Sequence, residues 1–373
     1  MRILHTSDWH IGRFLNSFSL LDDQAHFLNW LLVVLKDEKI DVLVVAGDVY
    51  NTVMPSSAAV SLLDEFLTKA VLELKVKVFL ISGNHDSAEK LSFSAKILNK
   101  SGLFVAGGLQ GFQCWKFDFD CGVVNFFLLP FFNYVQAWEN FNLQKNCDEH
   151  LIFNAIFNGF NLNNLNGDFN LLCAHGLFVD SSCSLSYCDS ELVVGGSHAF
   201  NLGEFKNFDY VALGHLHGPQ RAGKNGIYSG SPLKYSISEA RHKKRVVVVD
   251  VFRNGEFKLS EIVVEPLHDL KILRGKFSDL IKLKSSDYVA FQITDETFVL
   301  GLYGKLSVNF PNILELKFVN LNLNEFNEIK NLNSKKPCDL FEEFYFSVVG
   351  RKMNSLEHEI FSEVVSELHN ETN

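Results

Sequence analysis

The sequence predicts a mixed α/β protein on three observations. From Met1 to about Val264, apolar β-branched runs alternate with segments whose apolar residues fall at helical spacing, the signature of parallel βαβ units. After Gly108 the pattern becomes hairpin-like, with Phe112–Phe117 and Val123–Leu129 flanking Asp118-Phe119-Asp120-Cys121-Gly122. A purely doubly wound sheet is therefore not expected. Beyond Pro266 a compact β-α-β-α-β unit is followed by a polar stretch and one amphipathic helix. The expected organisation is a main domain at residues 1–265, a small capping domain at 266–320, and a linker with a helical tail at 321–373. A chain of 373 residues exceeds one ordinary core, which agrees with this division.

Taken in order, the first strand ends near Ser7, and a helix follows at Gln24–Lys36, with Phe27, Leu28, Leu31, Leu32 and Leu35 on one face. The next strand, Leu43-Val44-Val45-Ala46, ends abruptly in Gly47-Asp48. Ser57–Leu74 repeats the helical spacing, and a third strand begins at Val76. In the second unit, Leu270–Leu273, Tyr288–Ile293 and Ile313–Val319 read as strands, with helical segments near Phe277–Leu283 and Phe298–Leu306. Asn320–Pro337 is polar and Asn-rich, as linkers are. In the tail, Leu356, Ile360, Phe361, Val364, Val365 and Leu368 form one stripe behind an Asn354–Glu357 capping pair.

Composition narrows the class. With 47% hydrophobic and 21% charged residues the chain is globular rather than disordered. Seven scattered cysteines without a CxxC pair argue against a disulfide framework and for reducing cytosol. The apolar run Val123–Val135 is short for a membrane span and is interrupted by Asn125, Pro130 and Asn133. A soluble cytoplasmic protein is expected. The net charge of −10 counts against a chain that grips nucleic acid unaided, because such affinity comes largely from Lys and Arg on phosphates.

Five strand ends carry hard oxygen and imidazole donors: Asp8 and His10, Asp48, Asn84 with His85 and Asp86, His175, and His215 with His217. Open α/β sheets place ligands at the carboxyl ends of their strands. Asp8 and His10 lie two apart, so in extended chain both point the same way. Asp48 sits alone and can bridge two ions through its two oxygens. Asp8, His10, Asp48, Asn84, His175, His215 and His217 together suit two ions sharing one carboxylate, about 3.5–4 Å apart, a clamp for phosphoryl transfer. A donor set of nitrogen and oxygen without thiolate favours Mn²⁺, Fe²⁺ or Zn²⁺, with Mn²⁺ preferred. His85 is held beside the site as a proton donor, with Asp86 placed to orient its ring. Singly, each piece has an ordinary explanation: a chance DxH, a GD turn, a core histidine. Five in this order, each after a strand, point to one metal site.

Together these motifs resemble the calcineurin-like metallophosphoesterase superfamily, whose pattern is DxH, GD, GNHD, H and GHxH. Within it, the HTSDWHIG opening, GDVYNT, SGNHDS and GHLHGPQ…YSGSPLKYS are most similar to the SbcD family of bacterial nuclease subunits. The resemblance implies two packed sheets flanked by helices. It puts one ion on Asp8, His10, Asp48 and His217, the other on Asp48, Asn84, His175 and His215, and makes His85 and Asp86 catalytic. It also implies an ATP-dependent double-strand exonuclease and single-strand endonuclease, Mn²⁺ dependence and a homodimer. An SbcC-type coiled-coil ATPase partner, bound through residues 338–369, would supply the missing DNA grip. Asn51 stands where relatives often carry Asp or His.

A phosphomonoesterase or cyclic-nucleotide phosphodiesterase using the same centre is the alternative. Phosphatases of the superfamily carry an arginine soon after GD and beside GNH, whereas here Val49-Tyr50-Asn51-Thr52 follows Asp48 and Ser82 precedes Gly83. A non-catalytic scaffold would be expected to have lost ligands, and all seven are present. The basic run Arg241-His242-Lys243-Lys244-Arg245 reads equally as a DNA-backbone contact or a solvated turn. Trp9 reads as core packing more readily than as a wall of the metal pocket.

Overall fold

The computed structural model describes residues 1–373 except 110–112, 161–166, 181–182, 192–198, 298, 300, 321–340, 343–344, 346–350 and 372–373. The expected linker after Asn320 and residues 338–340, 343–344 and 346–350 of the expected partner-binding segment lie outside the described residues. The chain forms two compact units, Met1–Lys271 and Ile272–Asn373.

In the first unit β1 (Arg2–Thr6), α1 (Leu21–Asp37), β2 (Val42–Ala46), α2 (Ser57–Thr68) and β3 (Lys77–Ile81) follow the predicted alternation. Short helices α3 (Ala88–Leu91) and α4 (Ala95–Leu98) lead into β4 (Leu103–Ala106). The predicted hairpin is present as β5 (Gln113–Phe119) and β6 (Gly122–Leu129), paired antiparallel. There follow α5 (Tyr134–Phe141), α6 (Glu149–Phe160), β7 (Phe169–His175), β8 (Tyr210–Gly214), β9 (Gln220–Arg221), β10 (Gly226–Tyr228), β11 (Arg245–Val251) and β12 (Phe257–Val263). Two six-stranded mixed sheets result, in the orders β12-β11-β1-β2-β3-β4 and β9-β10-β8-β7-β6-β5. β1 to β4 pair in parallel, as do β6, β7, β8 and β10.

The alternation of side chains along each strand builds the layers. Phe126, Leu128, Leu171, Cys173, Tyr210 and Ala212 pack with Val44, Ala46, Phe79, Ile81 and Phe104 of the first sheet in one buried cluster. Their neighbours Phe127, Leu129, Leu172, Ala174, Val211 and Leu213 face the other way, onto Ile152, Phe153 and Ile156 of α6. Phe79 stacks on Phe126 at 4.2 Å and on Phe104 at 4.7 Å between ring centroids. The abundant phenylalanine thus fills the inter-sheet layer. Because both sheets are clamped together here, the carboxyl ends of β1, β2, β3, β7 and β8 open at one place.

After β13 (Leu270–Gly275), whose first two residues end the first unit, the second unit has α7 (Phe277–Leu280), β14 (Tyr288–Ile293), α8 (Leu302–Ser307), β15 (Ile313–Phe318) and α9 (Ser355–Glu371). The strands form a three-stranded sheet, β13-β14-β15, over Leu280, Phe291, Leu302, Leu306 and Phe310. Helix α8 starts later than its apolar spacing predicts, after Gly301 in the left-handed conformation. Asn354 and Glu357 cap α9 reciprocally, each side chain accepting the other's backbone N–H at 2.9 Å. No described helix is long and apolar enough to cross a membrane.

Phe126 is fully buried at the inter-sheet stack. Phe126→Ala should lower unfolding free energy by about 3–5 kcal/mol, read as an earlier urea midpoint at unchanged slope. A loss below about 1 kcal/mol would show that the two sheets do not depend on this layer.

Candidate metal centre

Beyond the strand ends, the loops after β1 and β2 continue to pair. Asp8 N–H donates to Gly47 O at 3.0 Å, His10 N–H to Asp48 O at 2.9 Å, and Ile11 N–H to Val49 O at 2.9 Å. The same ladder holds Asp8 (φ +55°), His10 (φ +45°) and Asp48 (φ +49°) in left-handed conformations. Each costs of order 1–3 kcal/mol for an ordinary side chain and persists only where its surroundings impose it. Two glycines of the motifs are explained by close approach. A Cβ on Gly83 would strike the Asp48 carboxylate, and one on Gly214 would strike Ala46 O.

All seven predicted donors converge. His10 Nε2 lies 3.5 Å from Asp48 Oδ2, and His175 Nε2 lies 3.6 Å from Asp48 Oδ1, so the carboxylate faces one imidazole with each oxygen. On the first side His10 Nε2 is 3.2 Å from His217 Nε2, and donor atoms of Asp8, His10 and His217 lie within 4.8 Å of one another. On the second side Asn84 Oδ1 lies 3.1 Å from both His175 Nε2 and His215 Nδ1. Asp8, His10, Asp48, His175, His215 and His217 are buried, while Asn84 and His85 are only partly so. The centre opens toward Asn84 and His85.

The electrostatics call for cations. Burial first, and then the negative charge of Asp48, push the Asp8 carboxyl well above its ordinary value. Burial also holds His10, His175 and His215 below the usual imidazole value, in the neutral form that ligates. His175 Nδ1–H donates to Ala46 O at 2.7 Å. Its Nε2 lone pair therefore faces the Asn84 carbonyl oxygen, acceptor against acceptor. A divalent ion between such groups turns repulsion into coordination. The residues fit a centre of two divalent ions, with Asp8, His10, Asp48 and His217 able to hold one and Asp48, Asn84, His175 and His215 the other.

The sequence profile of the calcineurin-like phosphoesterase family matches residues 1–219, the span that holds every one of these donors. The chain belongs to the calcineurin-like phosphoesterase family. A second profile, the type 5 capsule protein repressor C-terminal domain, named SbcD_C, matches residues 266–348. The SbcD subunit of the SbcCD nuclease of Staphylococcus epidermidis is 30% identical over 377 residues, covering 98% of each chain, which puts the chain in the SbcD branch of the family. Among solved structures, TT1561 of Thermus thermophilus has 14% identity and a TM-score of 0.41 over 71% of this chain and 99% of that one. GAP50 of Plasmodium, the anchor in the inner membrane complex, has 14% identity and a TM-score of 0.41 over 86% and 97%.

Not every expected contact is present. Asp86 does not orient His85. Its carboxylate accepts the backbone N–H groups of Val49 (3.0 Å), Tyr50 (2.8 Å) and Gly83 (2.9 Å), tying the loops after β2 and β3 together. A side chain pointing back into its own turn cannot also reach the neighbouring ring. His85 is held instead by Asn51, whose carbonyl oxygen is 3.1 Å from His85 Nδ1, and the His85 backbone N–H donates to Asp48 Oδ1 at 2.9 Å. Trp9 is core: its ring packs edge-on against Phe27 and Phe66, and Nε1–H donates to Thr6 Oγ1 at 3.0 Å.

The basic run is also not a plain cationic surface. Lys244 is buried, 2.5 Å from Glu239 Oε2, and donates to Ser231 Oγ at 2.7 Å and His217 O at 2.9 Å. Arg245 pairs with Glu261 at 2.7 Å. Glu239 in turn accepts from His217 Nδ1 at 3.2 Å. Burial works to raise the Glu239 carboxyl, but Lys244 and His217 hold it well below the usual range. Glu239 therefore fixes the tautomer that turns His217 Nε2 toward His10. Glu191 accepts the His217 backbone N–H, and Ser7 Oγ–H donates to Asp8 Oδ2 at 2.5 Å. Sequence reasoning missed Glu239, Lys244 and Glu191; the only signal was the proximity of Glu239 to an unusual basic run.

Glu239→Gln should weaken metal binding about 10–100-fold, as measured by calorimetric titration of Mn²⁺ into chelator-stripped protein. Unchanged affinity would mean that Glu239 supports the fold and not the His217 ligand.

Proposed function

We propose that the protein is the nuclease subunit of an SbcCD-type complex, hydrolysing DNA phosphodiester bonds at a two-ion centre. The observation that carries the reading is the Asp48 carboxylate with one oxygen toward His10 and the other toward His175. Support for DNA as substrate is the 30% identity over 98% of the chain to a protein named as the SbcD subunit of the SbcCD nuclease. Mn²⁺ is favoured by the N/O donor set. When bound, the ions supply Lewis acidity and a clamp on attacking and leaving oxygens. Asp8, His10, Asp48 and His217 would hold one, and Asp48, Asn84, His175 and His215 the other. His85 works from the open side. With Nδ1–H donated to Asn51 O, the imidazolium form would carry a second proton on Nε2 and give that one to the leaving oxygen. Asp86 keeps the loops in register beneath it.

Residues 1–265 carry the chemistry, 266–320 form the cap, and 321–373 hold the partner-binding segment. Helix α9 presents Leu356 at 63% and Ile360 at 53% exposure, an apolar face suited to a groove on an SbcC-type coiled-coil ATPase. ATP dependence would come from that partner. Phe93 and Ile97, beside and on the short helices after His85, are 79% and 70% exposed; an apolar surface of this kind favours a homodimer. On this reading the protein would act in the cytoplasm.

With Mn²⁺ the protein should degrade an end-labelled DNA duplex, and His85→Gln should lower that rate by about 10²–10⁴-fold with Mn²⁺ content intact. Turnover of a phosphomonoester or cyclic nucleotide with DNA untouched would refute the nuclease reading. For the partner, truncation after Pro337 should abolish co-purification with the ATPase while DNA cleavage by the remaining domain persists; retained binding would place the interface elsewhere.

A further inference from the structure

Arg13 lies in the loop that carries Asp8 and His10, and the sequence assigned it nothing. Its backbone is pinned on both sides: Arg13 N–H donates to His10 O and Leu20 N–H to Arg13 O, both at 3.0 Å. The guanidinium is pinned as well. Nη1–H donates to Asn51 Oδ1 at 3.1 Å, and Cζ sits 5.1 Å from the centroid of the Tyr235 ring. That ring in turn stands edge-on to His10 at 5.3 Å and to His217 at 5.4 Å. Arg13 therefore stands one residue away from the metal centre, on the same Asn51 that holds His85.

What it lacks is an anion. Among the described residues no carboxylate pairs with Arg13, and its buried Nε–H has no hydrogen-bond partner. In contrast Arg2, Arg245 and Arg351 each have a carboxylate partner. A neutral amide and an aromatic face hold the cation in place without neutralising it. In a chain of net charge −10, an only partly buried arginine, fixed on the same Asn51 that holds His85, is set up for an anion from outside. Its planar fork matches the non-bridging oxygens of a phosphate.

We propose that Arg13 is a substrate-binding residue that grips a backbone phosphate of the DNA strand entering beside His85, with Asn51 aligning both side chains. The inference rests on the nuclease reading. It also gives Asn51 a function that needs no charge of its own: its side chain positions the cation and its carbonyl positions the imidazole.

The test measures DNA affinity directly, on full-length protein with Ca²⁺ in place of Mn²⁺ to suppress turnover, by fluorescence anisotropy of a labelled duplex across a salt series. Arg13→Gln should weaken binding about 5–10-fold and reduce the slope of log affinity against log salt by about 1, the loss of one phosphate contact. Arg13→Lys, which keeps the charge, should recover most of the slope. Thermal midpoint and Mn²⁺ stoichiometry should stay at wild-type values in both. Wild-type affinity and slope in Arg13→Gln would overturn the proposal, as would an affinity loss that tracks lost metal or a lowered midpoint and is not rescued by lysine. If the wild-type protein itself neither binds nor cleaves DNA, the nuclease reading fails, an outcome read from a different sample.

Discussion

Two carboxylates, Asp8 and Asp48, are buried with no lysine or arginine paired to either among the described residues, and much of the structure around them follows from that. An ionised carboxylate is costly to desolvate unless it is paired, hydrogen-bonded or on a metal. The protein supplies the hydrogen bonds, from Ser7 and His215 N–H to Asp8 and from His85 N–H to Asp48. It leaves the charge to be met by divalent ions. The neutral imidazoles packed around them cannot neutralise it, and burial keeps them neutral. Hydrolysis of a phosphate diester is served by the same arrangement, since cations held in a dry pocket act most strongly on charge developing beside them.

That demand also accounts for the backbone. Donors from five strand ends can meet only if the connecting loops turn sharply, and the left-handed Asp8, His10 and Asp48 are those turns. The strain is held by the inter-loop ladder, by Asp86 bridging Val49, Tyr50 and Gly83, and by the sheet-to-sheet packing of Phe79 against Phe126. On the far side of His217, Glu239 and Lys244 form a buried pair whose charges cancel, so the imidazole is oriented without adding net charge to the centre. The second unit has its own small core and an exposed apolar face on α9 that plays no part in this chemistry.

Much of this was legible in the sequence because it is local. The strands of the first sheet are continuous apolar runs, and each donor sits within a few residues of a strand end, so Asp8, His10, Asp48, Asn84, His175, His215 and His217 could be named from spacing and motif. What was not legible depends on contacts between distant segments. Asp86 looked like a partner for its neighbour His85, but backbone N–H groups of Val49 and Tyr50 from another loop, with Gly83 from its own turn, take up its carboxylate instead. Lys244 looked like part of a cationic surface until β11 and the turn at Ile237–Arg241 closed it over Glu239. Helices α5 and α6 were not expected, their apolar residues being interspersed with asparagine. Arg13 carried no motif at all, and its setting arises only from Asn51 and Tyr235, which reach it from 38 and 222 residues further along the chain.

Whether Asp48 joins two ions can be read from a crystal structure of the Mn²⁺-loaded protein with anomalous data. Two anomalous peaks about 3.5–4 Å apart should flank the Asp48 carboxylate, one oxygen on each. A single peak, or two peaks with Asp48 bound to only one, would contradict bridging by Asp48.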